Sequence, residues 1–164
     1  MRKILFMLIT AMLIFAPAAW AADDNPIKLI NKAEVEVTVV NKKGKKEVKL
    51  IDAALAEVTP GDVVLYTILF ENTGSDDLED IVIHDPIPEN TVYIGGTAKG
   101  ENTDVTFSID GGKSYDVPEK LIITESDGKK RVAKPSEYSN IRWKVNAKLS
   151  SGFKGSVSFR VKLE

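Results

Sequence analysis

The chain has no cysteine, only one histidine and, beyond its first 21 residues, no long apolar segment. Without cysteine it can form no disulfide, no thiol nucleophile and no lipid anchor on cysteine. A lone histidine, His84, cannot build a histidine-based zinc site. A membrane-spanning helix needs about 20 apolar residues in succession, and nothing after residue 21 supplies them. We therefore expect a fold that is held together by core packing and backbone hydrogen bonds.

An excess of charge of either sign is also missing. The sequence has 22 basic and 24 acidic residues, for a net charge of −2. Loss of the first 21 residues would remove Arg2 and Lys3 and leave a net charge of −4. Proteins that bind nucleic acid usually carry clustered positive charge. We therefore expect no nucleic acid as the main partner.

The first 21 residues have the three parts of a secretory signal peptide. Arg2 and Lys3 supply the positive start, and residues 4–15 are apolar apart from one threonine. Ala19-Trp20-Ala21 then has the small-x-small pattern of a cleavage site. The sequence therefore predicts cleavage after Ala21 and export to the periplasm or the extracellular space.

The alternative for this segment is a membrane anchor, but Pro17 and the small residues around it make the apolar run too short. We expect residues 22–31 to form a flexible lead. Residues 32–164 are then long enough for a single domain with a substantial core. No integral membrane segment is expected after cleavage.

The most informative stretch for the fold lies between residues 59 and 93. Pro60-Gly61 is a turn, and Val63–Phe70 is a nearly unbroken run of β-branched, aliphatic and aromatic residues, typical of a strand buried on both faces. Asn72-Thr73-Gly74 ends that strand. A second strand at Ile81–Ile83 is stopped by Asp85-Pro86, because proline cannot donate to a ladder.

Short strands separated by polar turns continue along the rest of the chain. Glu34–Val40 and Glu47–Ile51 flank a lysine-rich turn, and Asp127-Gly128 lies in a predicted hairpin between Leu121–Thr124 and Arg131–Ala133. Further strands are predicted at residues 91–94, 105–109, 141–145 and 155–161. No long amphipathic helix and no internal repeat is present. This spacing predicts an all-β antiparallel sandwich of about 7–9 strands.

The order of several motifs carries a family resemblance. The motifs are Pro60-Gly61-Asp62, Tyr66-Thr67-Ile68, Asn72-Thr73-Gly74, Asp85-Pro86-Ile87-Pro88 and the strand around Trp143. From about Lys32 to its end, the chain resembles the bacterial domain-of-unknown-function family eleven, the conserved repeat domain of cell-envelope proteins. The resemblance implies an Ig-like sandwich in an exported or envelope protein, and it implies no catalytic residue.

One loop resembles the Asp-box hairpin of sialidase-like propellers. It runs from Ser108 to Tyr115, with Asp110 and two glycines in its turn. A carboxylate that accepts backbone N–H groups fixes such a turn, and a propeller would need several copies of it. We therefore expect Asp110 to stabilise a turn and not to form a site.

A hydrolytic site would have to be built around His84. Asp85 follows it directly, but neighbouring side chains on a strand point to opposite faces. A histidine-dependent nucleophile also needs a serine or thiol within reach, and the sequence has no Gly-x-Ser-x-Gly elbow. The expected role for His84 is a partly exposed residue at a strand end.

Acidic residues are clustered in one part of the chain and are weak candidates for a calcium site, since calcium prefers carboxylate oxygens. They are Asp76, Asp77, Glu79, Asp80 and Asp85. Their spacing matches no calcium loop. Solvated loop carboxylates are the alternative, and the sequence implies no cofactor.

The aromatic residues fall into two groups. The first lies within predicted strands and is expected in the core: Tyr66, Phe70, Phe107, Trp143 and Phe159. The second lies nearer loops and could stack on a sugar, although packing at the rim of the core is the alternative: Tyr93, Tyr115 and Tyr138.

The function that these observations favour is a non-catalytic exported cell-envelope protein, an interaction or structural module. Its partner would be another envelope protein or a surface polymer. The alternatives are a carbohydrate- or calcium-binding module and, less favoured, a hydrolase that uses His84. Fold class alone cannot choose between them.

Overall fold

Antiparallel strands are the main regular structure of the computed structural model, which describes residues 26–164. The predicted signal segment and its cleavage site lie outside the described residues. The strands are β1 (Ile27–Val40), β2 (Lys46–Asp52), β3 (Val63–Asn72), β4 (Val82–Pro86), β5 (Thr91–Tyr93), β6 (Lys99–Gly100), β7 (Thr103–Ser108), β8 (Ile122–Thr124), β9 (Lys130–Val132), β10 (Asn140–Val145) and β11 (Lys154–Leu163). Three single 3₁₀ turns join them, at Ala53–Leu55, Pro118–Lys120 and Pro135–Glu137.

These strands form three antiparallel sheets. The largest has the order β2-β1-β3-β11-β5, with β6 also paired to β11. A second sheet has the order β4-β10-β7, and β8 and β9 form a separate hairpin. The prediction of an all-β fold with antiparallel sheets is confirmed. The structure has more strands than the 7–9 that we expected, because short ones such as β6 carry no pattern in the sequence.

The core lies between the large sheet and the β4-β10-β7 sheet. On β10, Ile141, Trp143 and Val145 are buried, and the intervening residues are more exposed. The Trp143 ring lies 6.0 Å from the ring of Phe159 on β11, measured between centroids. The prediction that Trp143 faces inward, from the alternation of its strand, is therefore confirmed.

Strand β1 pairs with two neighbours in succession. Ile27–Val35 pairs with β3, and Glu34–Val40 pairs with β2, so that only two residues have partners on both sides. Beyond them, residues 36–50 form a hairpin that extends past the start of β3. We call residues 36–50 the hairpin arm. A contact between Arg160 Nε and Glu36 Oε1, 2.6 Å apart, ties its base to the large sheet.

The ordered sheet begins earlier than the sequence predicted. β1 starts at Ile27, so residues 27–31 belong to the sheet and not to the flexible lead expected over residues 22–31. The pairing with β3 extends back to Pro26, whose carbonyl accepts a hydrogen bond from the Thr73 N–H at 2.7 Å. Ile27, Leu29 and Ile30 are aliphatic, but so short a segment does not show which strand it pairs with.

Two other strand predictions need adjustment. β3 is buried on one face, through Val64, Ile68 and Phe70, and only half-buried on the other. β4 continues through Asp85 to Pro86 instead of ending at Ile83. Proline is accepted there because β4 is an edge strand and needs no donor on its outer side. No helix within residues 26–164 is both long and apolar enough to cross a membrane.

Candidate functional site

The structure separates His84 from Asp85, as strand alternation predicted. The side chain of His84 is exposed, whereas Asp85 is half-buried on the inward face of β4, beside Ile83. Within residues 26–164, no hydrogen bond or ion pair joins the His84 side chain to a serine, a threonine or a carboxylate. The described residues therefore form no hydrogen-bonded nucleophile–base pair that includes His84.

The five acidic candidates for a metal site are not brought together. Lys148 Nζ lies 3.0 Å from Asp77 and 3.9 Å from Glu79, and Lys144 lies 3.4 Å from Asp80. The contact with Lys148 lowers the pKa of Asp77. Asp76 lies in the loop before them, exposed, while Asp85 faces the core. In the described part of the chain, no three His, Asp or Glu side chains are grouped as a metal site.

The loop that resembles an Asp-box is a closed turn. Asp110 accepts backbone N–H bonds from Lys113 and Ser114, both at 3.0 Å, and hydroxyl bonds from Ser108 and Ser114. These hydrogen bonds, above all the one from the Ser114 hydroxyl, hold the pKa of Asp110 well below its usual range. Oδ1 accepts three of these hydrogen bonds and Oδ2 the fourth, so the carboxylate is engaged mainly in fixing the turn.

The three tyrosines near loops do not form a sugar platform. Tyr93 and Tyr138 are buried and pack with Phe107, with ring centroids 4.7–5.9 Å apart. Tyr115 lies under the guanidinium of Arg142, whose Cζ is 4.5 Å from the ring centroid. The first group of aromatics is in the core, with Tyr66 only partly buried.

An open groove that the sequence did not predict lies where β11 meets β6. It has a volume of about 660 Å³ and is bordered by Phe70, Lys99, Asn102, Phe153 and Lys154. Phe153 is 39% exposed and stacks on Phe70 at 6.4 Å between ring centroids. We call this the Phe153 groove. An aromatic residue in the Ser-Ser-Gly-Phe turn before β11 was the one sign of it in the sequence.

The edge strand β2 is exposed along its whole length. All seven of its residues are exposed, and the apolar side chains of Val48 and Leu50 remain 61% and 45% accessible. Both lie on the same face of the strand, because they are two residues apart. The alternation in the sequence predicted the strand but could not show that no further strand covers it.

The hydrogen bonding of the hairpin shows which backbone groups of β2 are free. The Asn41 N–H donates to the Lys45 carbonyl at 2.8 Å, which makes this a hydrogen-bonded pair. Hydrogen-bonded and non-hydrogen-bonded pairs alternate along an antiparallel ladder. In the observed register, Glu47, Lys49 and Ile51 therefore bond to β1.

The even-numbered residues of β2 consequently direct their N–H and C=O groups away from β1. We call this row of backbone groups the open edge; its members are Lys46, Val48, Leu50 and Asp52. The same alternation holds on the far side of β1, where the Pro26 carbonyl accepts a hydrogen bond from the Thr73 N–H, directly after β3. The open edge contains no proline and no bulge in its register.

The other sheet edges in residues 26–164 are shorter or blocked. β5 has three residues, and β4 ends in Pro86. The edge of β7 is bridged by Asp116, which exchanges two backbone hydrogen bonds with Phe107, at 2.9 and 3.0 Å. Among the described strands, β2 thus offers the longest unblocked edge.

Comparison with protein-family models, with curated proteins and with solved structures finds no match for this chain. The resemblance to the conserved repeat domain therefore stays a prediction.

Proposed function

We propose that this chain is a non-catalytic, exported cell-envelope module with an Ig-like β-sandwich fold, and that it binds a partner polypeptide through strand β2. The observation that carries the proposal is the open edge, a seven-residue strand exposed on both faces and unpaired on one side. The proposal that the protein is exported is based on residues 1–21, which resemble a signal peptide. The Ig-like assignment is supported by Trp143, which is buried on the central strand of the smaller sheet.

Strand addition fits the chemistry of this edge. A partner strand would gain backbone hydrogen bonds from the open edge, which supply affinity, while the side chains supply specificity. Val48 and Leu50 would meet apolar side chains of the partner, and Lys46 and Asp52 would meet charges of opposite sign. An edge strand with free N–H and C=O groups readily pairs with another chain.

The position of the hairpin arm makes this pairing sterically simple. Residues 36–50 lie beyond the start of β3, so a partner approaching β2 meets no other strand of the large sheet. The arm is still fixed at its base, where Val35 is buried and Glu36 contacts Arg160. A prepaired hairpin loses little conformational freedom on binding, which favours affinity.

Proline substitutions test the proposal, because the N–H groups of β2 alternately face outward and bond to β1, and proline removes one N–H at a time. Val48→Pro removes an outward N–H and leaves the hydrogen bonds to β1 in place, so the protein should fold and the partner should no longer bind. Lys49→Pro is the matched contrast, because it removes a donor to β1 and should loosen the hairpin arm itself. The partner is first identified by cross-linking in the native host and then measured as a purified protein.

Amide hydrogen exchange supplies the second arm of this test. In the free protein, the Val48 and Leu50 amides should exchange quickly, and the Glu47 and Lys49 amides slowly. Binding should protect the first pair. A purified partner that binds Val48→Pro as tightly as the wild type, or leaves Val48 and Leu50 unprotected, would show that β2 is not the interface.

A second candidate, carbohydrate binding, is favoured by the Phe153 groove. The exposed ring of Phe153 could stack on a sugar, and the neighbouring polar side chains of Lys99 and Asn102 could hydrogen-bond to its hydroxyl groups. Glycan-array binding that is lost in Phe153→Ala and kept in Val48→Pro would favour this function over strand pairing. No grouping of side chains in residues 26–164 supports the calcium or hydrolase alternatives.

A further inference from the structure

The carboxylate of Asp85 lies on the inward face of β4, where the neighbouring side chains are apolar. In the register of β4 with β10, Asp85 lies opposite Ile141, as Ile83 lies opposite Trp143. Ile83, Ile141 and Trp143 are all buried. Because alternate residues of a strand share a face, Asp85 points with Ile83 toward the large sheet.

This inward carboxylate has no partner among residues 26–164, where it makes no hydrogen bond or ion pair. Burial raises the pKa of Asp85, and the coulombic influence of His84, on the other face of the strand, is the smaller effect and acts to lower it. On the facing strand β3 of the large sheet, the pKa of Tyr66 is raised by its own burial and by the charge of Asp85. Asp85 is half-buried on this apolar face, and partial desolvation of a carboxylate without a partner is costly, so the arrangement calls for an explanation.

Asp85 and Tyr66 border a cleft between β4 and the β1–β3 ladder. The cleft has a volume of about 270 Å³, and Ile68, Pro86 and Pro88 supply its apolar walls. Asn31 adds a side-chain amide on the inner face of β1. Lys32 also borders the cleft, but its side chain lies on the opposite face of β1 from Asn31.

We propose that this cleft binds an aliphatic primary ammonium group, such as the side chain of a lysine in a partner polypeptide. Asp85 would balance the charge, and the Tyr66 ring would offer its face to the cation. The prolines and Ile68 would cover the methylene groups, which lysine buries readily. The carboxylate repels anions, and a single carboxylate provides too few ligands for calcium.

This site is separate from the open edge on β2 and does not depend on strand pairing there. Asp85 lies on the smaller sheet, whereas β2 lies at an edge of the large one and contributes no residue to the lining of the cleft. Loss of binding at either site would leave the other unchanged, so the two proposals can fail independently.

The test uses Nα-acetyl-lysine N-methylamide as the probe and the norleucine analogue as its uncharged counterpart. NMR titration of residues 22–164 should give saturable shifts at Tyr66, Ile68 and Asp85 with the lysine probe only. Asp85→Asn keeps the shape of the side chain and removes its charge, and should weaken binding at least about tenfold. Asp80→Asn removes an exposed carboxylate and should leave the affinity unchanged.

Three outcomes would overturn the proposal. The first is the absence of saturable shifts at the cleft, and the second is equal affinity of the wild type and Asp85→Asn. The third is equal affinity for the lysine probe and for its norleucine analogue, which would show that the cleft does not recognise the ammonium group. The affinity for the lysine probe should rise with pH as Asp85 loses its proton, and Asp85→Asn should show no such rise. This pH dependence would support the proposal even if the substitution altered the stability of the protein.

Discussion

Gly155 lies directly against the ring of Phe70. A Cβ built at Gly155 would stand 2.7 Å from Phe70 Cε2, closer than real Cβ contacts allow. The two residues are paired across β11 and β3, and the ring fills the space that any other side chain at position 155 would need. Gly155 therefore lets Phe70 cover the end of the core.

From this contact we expect Gly155→Ala to destabilise the protein by about 1–3 kcal/mol, the usual cost of overpacking. The ring of Phe70 is buried in the core, and the clash involves several of its ring atoms. Urea denaturation would measure the change, with the exposed neighbour Ser156→Ala as a control that should stay within about 0.5 kcal/mol. An unchanged midpoint for Gly155→Ala would show that the Phe70 ring moves freely.

Replacement of Trp143 by alanine should cost about 3–5 kcal/mol, the range for large aromatic residues in a core. Its indole Nε1 is buried without a hydrogen-bond partner, so Trp143→Phe loses no hydrogen bond and should cost much less. In a chain that starts at Ala22, Trp143 is the sole tryptophan. Its emission should be blue-shifted and resistant to quenchers. Red-shifted, quenchable emission would contradict its placement in the core.

The contacts of Glu137 predict a pH dependence of stability. Hydrogen bonds from Arg131 and from the Lys134 N–H lower the pKa of Glu137 to about 2, against a usual value of 4.5. The folded pKa is depressed, so this group's contribution is complete above the unfolded value and is lost as pH falls from about 4.5 to about 2. Thermal melts of wild type and Glu137→Gln should differ at neutral pH and converge near pH 2. Equal melting temperatures at pH 7 would contradict this.

The raised pKa of Asp85 predicts a pH dependence of stability of the opposite sign. Burial raises its folded pKa, so the folded state is favoured when Asp85 is protonated, and stability is lost as pH rises from the unfolded value through the raised folded one. Asp85→Asn removes that loss and should raise the melting temperature at pH 7. Asp80→Asn, at an exposed position, should leave it nearly unchanged. A lower melting temperature for Asp85→Asn at pH 7 would show that the carboxylate is stabilised in the free protein.

Removal of divalent cations should leave the melting temperature unchanged. Asp77 and Glu79 lie near Lys148, and a cation would have to displace that contact. A ligand that binds only the folded state raises its stability with concentration. Melts in chelator, calcium and magnesium test this. A calcium-specific rise that disappears in Asp77→Asn would instead establish a calcium site in this loop.

The sequence predicted the positions of the strands better than the pairing of each strand with its neighbours. Alternation placed Ile141, Trp143 and Val145 on one buried face, and the Asp127-Gly128 turn located the β8–β9 hairpin, because both depend on local geometry. The neighbours of β2 depend on pairing between distant segments. Nothing in residues 46–52 reveals that one side of the strand stays unpaired.

The candidate sites show the same division. Asp110 was correctly expected in a turn, since its partners lie within a few residues. The proximity of Asp85 to Tyr66 arises from two strands in different sheets, and the stacking of Phe153 on Phe70 joins β3 to the turn before β11. Such contacts are set by tertiary packing, which a single sequence does not display.

The pairing of β3 with both β1 and β11 has a mechanical consequence. Each partner matches β3 over nine residue pairs, and the two run parallel to each other on its opposite sides. Ile27 lies at one end of β3 and Lys162 at the other. Tension applied between these two residues would therefore load the hydrogen bonds of each ladder together, in shear, instead of opening them one by one. The chain should resist extension along this axis far better than a pull that peels β2 from β1.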